Sequence, residues 1–169
     1  MQDNQREELS YLAGLFDGEG TICIQKDTRP RYSDRGWNPV YYTTFRIGMI
    51  EQKAIQGYKD FFGVGYVDCE KVYHAFRPMW RYSIRAKDEV QSVVSILLPF
   101  LRVKKPQAEL LLQYYEECPS RRGLLMTPEI MARKEFFFYE MKKLNGVDIS
   151  PATTKRMGRP PSVRVQAIV

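Results

Sequence analysis

Near its start the chain carries a helix-forming stretch with a glycine in the middle that stops on Gly18-Glu19-Gly20. Residues 6–18 (REELSYLAGLFDG) space Leu9, Leu12, Ala13 and Phe16 along one helical face. Glu7 and Glu8 suit the positive end of the helix dipole, and Gly18 and Gly20 mark the other end. Gly14 inside such a helix costs about 1 kcal/mol relative to alanine, so a close approach by another element should compensate. Ala13, Gly14 and Gly18 supply the small residues for that approach. The chain has one helix of this kind, and its simplest partner is the same helix of a second copy, two-fold pairing being the commonest oligomer symmetry. Leu9, Leu12, Ala13, Gly14 and Phe16 are therefore the expected dimer interface. Glu19 follows at once, so two copies of it would lie close together beside the dyad. Paired carboxylates next to a polyanion repel it unless divalent cations lie between them. Hard oxygen donors with phosphate oxygens suit Mg²⁺.

The segments that follow read as two strand pairs separated by a helix. Residues 21–29 alternate Ile22, Ile24 and Lys26 against Cys23, Gln25 and Asp27, and residues 40–49 are rich in Tyr, Thr, Phe and Ile. Residues 51–62 place Ala54, Ile55, Tyr58, Phe61 and Phe62 on a helical face closed by Gly63. Strands are predicted near 65–70 and 79–85, then helices from Asp88 to Pro99, from Pro106 to Glu117 and from Pro128 to Leu144. This order, αββαββα with further helices after it, predicts an α+β fold: a four-stranded antiparallel, saddle-shaped sheet with helices on one face. Residues 1–149 form the expected domain. Residues 150–169, rich in Pro, Gly and Arg without hydrophobic periodicity, read as a basic mobile tail.

The free face of such a sheet would carry Gln25, Asp27 and Arg29 on the first strand and Tyr42, Thr44 and Arg46 on the second. Asp68 and Glu70 would lie on the third, with Arg81, Ser83 and Arg85 on the fourth. The charge distribution favours a polyanion on that face. The net charge is +6, yet residues 1–20 carry −4, while residues 21–48 carry +3, residues 77–105 carry +5 and the last twenty carry +4. Both internal basic segments are strand-like, so their cations can share a surface. A ribbon of this kind fits the major groove of double-stranded DNA, which shows a distinct donor and acceptor pattern for every base pair. Arg31 and Arg77, in the connections beside the strands, extend the same charge.

Several classes are excluded. The longest apolar stretch, residues 93–101, is interrupted by Ser95 and Pro99 and is too short to cross a bilayer. Three widely spaced cysteines (Cys23, Cys69, Cys118) argue against a disulfide framework and fit a reducing compartment. A single His and no CxxC pair argue against structural zinc. With no signal peptide visible at the polar N-terminus, an intracellular location is expected, in whichever compartment holds the target DNA.

The nine residues Leu12-Ala13-Gly14-Leu15-Phe16-Asp17-Gly18-Glu19-Gly20 resemble the signature of the LAGLIDADG homing endonucleases. Gly63-Val64-Gly65-Tyr66-Val67 is similar to a recurrent turn of that family, and residues 100–108 (FLRVKKPQA) resemble its basic segment before the later helices. The resemblance spans roughly residues 9–146, and a single motif in a short chain resembles the homodimeric branch, which recognises long pseudo-palindromic sites. It implies hydrolysis of one phosphodiester on each DNA strand, leaving short 3′ overhangs. Carried over by position, Glu19 and the carbonyl of Gly18 are metal ligands, and Asp17 is a local cap or structural acid. Lys104 falls at the family's basic position near the scissile phosphate, where it would stabilise transition-state charge. Mg²⁺ is the implied ion, with Mn²⁺ or Ca²⁺ able to substitute for binding.

One departure stands at the end of the second strand. Many relatives place a polar residue there that orders solvent near the metals, and this chain has Met49, with Gln52 a few places on. The alternative reading is thus a LAGLIDADG-type protein that has lost cutting and acts as an intron RNA maturase or a DNA-binding regulator. A further alternative is a structural dimer with ordinary basic strands. In the tail, Lys155-Arg156-Met157-Gly158-Arg159-Pro160-Pro161 resembles a minor-groove hook, with general phosphate attraction as the simpler role.

Overall fold

A computed structural model describes residues 3–27, 39–70, 78–118 and 127–147. Arg29, Arg31, Arg77 and the tail lie outside the described residues. The elements run α1 (Asp3–Glu19), β1 (Gly20–Asp27), β2 (Val40–Met49), α2 (Gln52–Phe62), β3 (Tyr66–Glu70), β4 (Met79–Ile84), α3 (Lys87–Leu97), a 3₁₀ turn (Leu98–Phe100), α4 (Lys105–Glu117) and α5 (Pro128–Leu144).

The four strands form one antiparallel sheet in the order β1-β2-β4-β3. Its inner face carries Ile22, Ile24, Phe45, Ile47, Tyr82 and Ile84, all buried. The helices cover that face with Leu9, Leu12 and Phe16 from α1, Ile55 and Tyr58 from α2, Val90, Val94 and Leu97 from α3, Leu111 from α4, and Phe137 and Met141 from α5. Full burial of side chains this size stabilises the fold by roughly 1.5–3 kcal/mol each. Phe16 stacks on Phe45 with ring centroids 4.3 Å apart, fastening α1 across β2. The Tyr58 hydroxyl donates to the Leu12 carbonyl at 2.5 Å, tying α2 to the middle of α1.

Local chemistry explains where the elements stop. Glu51 caps α2 by accepting from the Lys53 amide, and Gly63 closes it in the left-handed conformation (φ 69°), its amide donating to the Lys59 carbonyl. Thr127 caps α5, whose side chain accepts from the Ile130 amide ahead of Pro128 in the first turn. At the far end Asn145 donates to the Ile22 carbonyl at 2.9 Å, and Lys26 pairs with Glu135, so α5 is bound to β1 along its length. No described helix is long and apolar enough to cross a membrane.

Candidate nucleic-acid interface and acid site

Antiparallel register decides which side chains share the face that no helix covers. Thr21 lies opposite Arg46, and Arg46 opposite Ser83, which in turn pairs with Tyr66. One step along, Gly48 pairs with Arg81 and Arg81 with Asp68, while Gln25 faces Tyr42 at the other end. Because alternate residues point to opposite faces, these cross-strand rows all lie on the outer side. Gln25, Tyr42, Thr44, Arg46, Tyr66, Arg81, Ser83 and Arg85 line one open trough across it. Every DNA-facing position expected on β2 and β4 is in this trough. Asp27 ends β1 opposite Val40. Tyr66 was not among the expected positions, although it has the same parity on β3 as Asp68 and Glu70 and sits 5.0 Å beneath the Arg85 guanidinium.

Asp68 and Glu70 are engaged within the sheet. Arg81 donates from Nε and Nη2 to the two Asp68 oxygens at 3.1 and 3.0 Å, and from Nη1 to Glu70 at 3.0 Å. The hydrogen bond to Asp68 is the main cause that raises Arg81 above its usual pKa, so this side chain stays cationic. Three donors of a rigid five-donor fork are fixed in this way, and the two that are left are aimed by the acids.

The acid motif lies at one end of this face. Helix α1 passes into β1 with no intervening residue, Glu19 being the last of one and Gly20 the first of the other. The junction requires glycine, because a Cβ on Gly20 would lie 2.4 Å from the Phe16 carbonyl oxygen and 2.5 Å from its ring. Glu19 is exposed and shares a hollow with Thr21, Arg46, Gly48, Glu70, Met79 and Arg81. Two guanidinium side chains of the trough thus border the acid, a juxtaposition that no local sequence pattern signals. Met49 takes no part in it. It pairs with Trp80 in the ladder and packs against the core, so the face toward Glu19 is carried by Gly48 and Arg46 instead.

Asp17 faces the other way. Its Oδ2 accepts from the Arg102 amide at 2.7 Å and its Oδ1 from the Lys104 amide at 2.8 Å. The basic turn before α4 is thereby fastened to the last turn of α1, and Lys104, half-buried, is brought into the neighbourhood of the motif. The expectation that Asp17 is a structural acid matches this geometry.

The expected dimer contacts need correction. Leu12, Ala13 and Phe16 have 0% of their surface exposed and Leu9 has 3%, all within the protomer's own core. Residues covered this completely by their own chain cannot touch a second one. Gly14 is exposed, as is Gly18, and a Cβ built on either meets nothing within 4 Å. The outward side of α1 therefore runs through Tyr11, Gly14 and Gly18, about one helical turn apart, with Leu15 partly exposed beside them.

Glu19 offers a carboxylate in the last turn of α1, and the Gly18 carbonyl belongs to the negative end of the same helix. Among the described residues no group of three His, Cys, Asp or Glu side chains forms a self-contained metal site. The donors that one chain presents are nonetheless hard oxygens, the kind that Mg²⁺ shares with water and phosphate.

The sequence model of the LAGLIDADG endonuclease family matches residues 12–115, from the glycine-rich end of α1 through α4. The chain is also 30% identical over 120 residues to the DNA endonuclease I-CreI of Chlamydomonas reinhardtii, covering 69% of this chain and 68% of that protein. The chain belongs to the LAGLIDADG endonuclease family. The fold agrees. The homing endonuclease I-CvuI, solved in complex with the I-CreI target in the presence of Mg with its DNA not cleaved, superposes with a TM-score of 0.70 at 18% identity, over 92% of this chain and 94% of that one. The archaeal intron-encoded homing endonuclease I-Vdi141I, complexed with DNA, gives 0.67 at 16% identity, over 83% and 85%. I-CvuI has also been solved with its own target in the presence of Ca. The LAGLIDADG signature thus lies on the α1–β1 junction, and the family match spans the whole trough-bearing sheet.

Proposed function

We propose that this LAGLIDADG protein is a site-specific, divalent-metal-dependent double-stranded DNA endonuclease that works as a homodimer on a long pseudo-palindromic site. One observation carries the proposal: Glu19 opens into a hollow of the uncovered sheet face, beside Arg46 and Arg81, at the end of a helix whose outward side, at Gly14 and Gly18, is bare. Two such helices can approach closely along their glycines, and that contact brings both Glu19 carboxylates to the centre of a continuous surface formed by two sheets. Each sheet would lie in the major groove of one half-site. Affinity then comes chiefly from Arg and Lys neutralising phosphates, and discrimination from Arg46, Arg81, Arg85, Gln25 and Tyr42 at base edges.

Glu19 and the Gly18 carbonyl would hold the ion, which supplies polarisation of the phosphoryl oxygen and a lower pKa for the attacking water. Lys104 supplies positive charge where negative charge accumulates on the phosphoryl oxygens. One phosphodiester is cut on each strand, leaving short 3′ overhangs, in whichever intracellular compartment holds the target. The location of Met49 favours a second reading, a protein that binds but does not cut, acting as a maturase or regulator, because β2 brings no neutral polar side chain to Glu19. Selection of cut duplexes from a random library with Mg²⁺ tests both. Recovery of a symmetric site with staggered ends supports the endonuclease, and specific binding without any cut product supports the second reading.

A further inference from the structure

Asp17 lies two residues before Glu19, and both of its oxygens are held by main-chain amides of a segment far away in the chain. Arg102 N–H donates to Oδ2 at 2.7 Å and Lys104 N–H to Oδ1 at 2.8 Å. Hydrogen bonds that amides donate to an ionised carboxylate are roughly twice as strong as neutral ones. The acid is also on the unfavourable end of its helix: α1 has no basic residue in its last turn, and a carboxylate there opposes the helix dipole. The two distant amides offset that cost, which is modest for a single charge in the last turn.

The 102–104 turn is held from its other side as well. The buried Leu101 donates its amide to the Leu97 carbonyl at 3.2 Å, and the Lys104 carbonyl accepts from the Ala108 amide at 3.0 Å. The Lys104 main chain is thus fixed at its N–H by α1 and at its C=O by α4, leaving only the side chain free to move. From this geometry we infer that Asp17 is a positioning residue, which sets the backbone of Lys104 in a rigid frame with Glu19 and so aims the ammonium at the phosphate that the Glu19 site would hold. The inference rests on the proposed roles of Glu19 and Lys104. It assigns Asp17 no contact with metal or DNA, because its two oxygens are directed at the turn.

The cleavage test uses the full chain as four proteins: parent, Asp17→Asn, Lys104→Ala and the double variant. Single-turnover cleavage of a duplex the parent cuts should fall about tenfold in Asp17→Asn, about a hundredfold in Lys104→Ala, and no further than that in the double variant, since residues acting through one another are non-additive. The Mg²⁺ concentration for half-maximal rate should stay unchanged in Asp17→Asn. Losses that multiply, a full-rate Asp17→Asn protein, or a raised Mg²⁺ requirement each overturn the inference. A readout independent of cleavage separates its failure from that of the functional reading. Amide hydrogen exchange at Arg102 and Lys104 should accelerate in Asp17→Asn and in Asp17→Ala, while the Leu111 amide in the core of α4 is unaffected. Unaltered exchange at both amides overturns the clamp whatever the protein cuts.

Discussion

Arg81 and Asp68 are direct ladder partners on β4 and β3, and two parallel hydrogen bonds of 3.1 and 3.0 Å lock the guanidinium to the carboxylate on the exposed sheet face. With Glu70 bound to the same side chain, the group of three carries one negative charge in excess. That is a poor phosphate site and a good one for an oriented base contact. Arg81→Ala should weaken binding to the specific duplex by about 1–3 kcal/mol while affinity for random duplex changes little. Competition binding at fixed salt checks this, and an equal loss on both duplexes would assign Arg81 to the phosphates.

Gly14 reports on the outer side of α1. Nothing lies within 4 Å of a Cβ there, so Gly14→Leu should leave the protomer folded by circular dichroism and convert a sedimenting dimer to monomer. A dimer that persists would place the interface elsewhere on the surface.

Gly20 reports on the inner side of the same junction. An added methyl group would collide with the Phe16 carbonyl and ring, so Gly20→Ala should cost about 1–3 kcal/mol in denaturant unfolding. Unchanged stability would mean that the helix-to-strand passage is looser than described.

The legibility of the fold and site in the sequence followed how local the determining chemistry is. The bounds of β2 agree with expectation to the residue and those of α5 closely, because residues 40–49 are rich in strand-forming Tyr, Thr, Phe and Ile and Pro128 suits a first helical turn. Periodicity also showed that Leu9, Leu12 and Phe16 share a face, but not what covers it. The covering side chains come from β2, α2 and other elements distant in the chain, and they took this face for the core, leaving Gly14 to the outside. The strand order β1-β2-β4-β3 and the Asp17 bonds to residues 85 and 87 positions away are contacts of the same long-range kind, invisible in any window of sequence. The pairing of Asp68 and Glu70 with Arg81 needed the register of β3 against β4 before it could be told from base recognition.

Buried phenols set an alkaline limit. Burial lifts Tyr58, Tyr82 and Tyr114 above their ordinary value of 10.0, and lifts Tyr115 to about 12 against the opposing pull of its Thr43 hydrogen bond. The unfolded chain releases these protons first, so the stability they contribute is fully present below pH 10 and is lost as pH rises through the folded values. The slope approaches about 1.4 kcal/mol per pH unit for each phenol. Urea unfolding between pH 8 and pH 11.5 should show a decline beginning near 10, made shallower by Tyr115→Phe. A stability that stays level across that range would contradict the burial of these hydroxyls.

Strand cutting by the Glu19→Gln protein is the most direct test of the endonuclease account. With Mg²⁺ and a duplex that the parent cleaves, the variant should cut neither strand, yet retain specific binding in Ca²⁺ within about threefold, since one neutralised acid removes a hard ligand without removing any base contact. Undiminished cleavage of both strands by Glu19→Gln would contradict the assignment of Glu19 to the metal, and the endonuclease mechanism built on it.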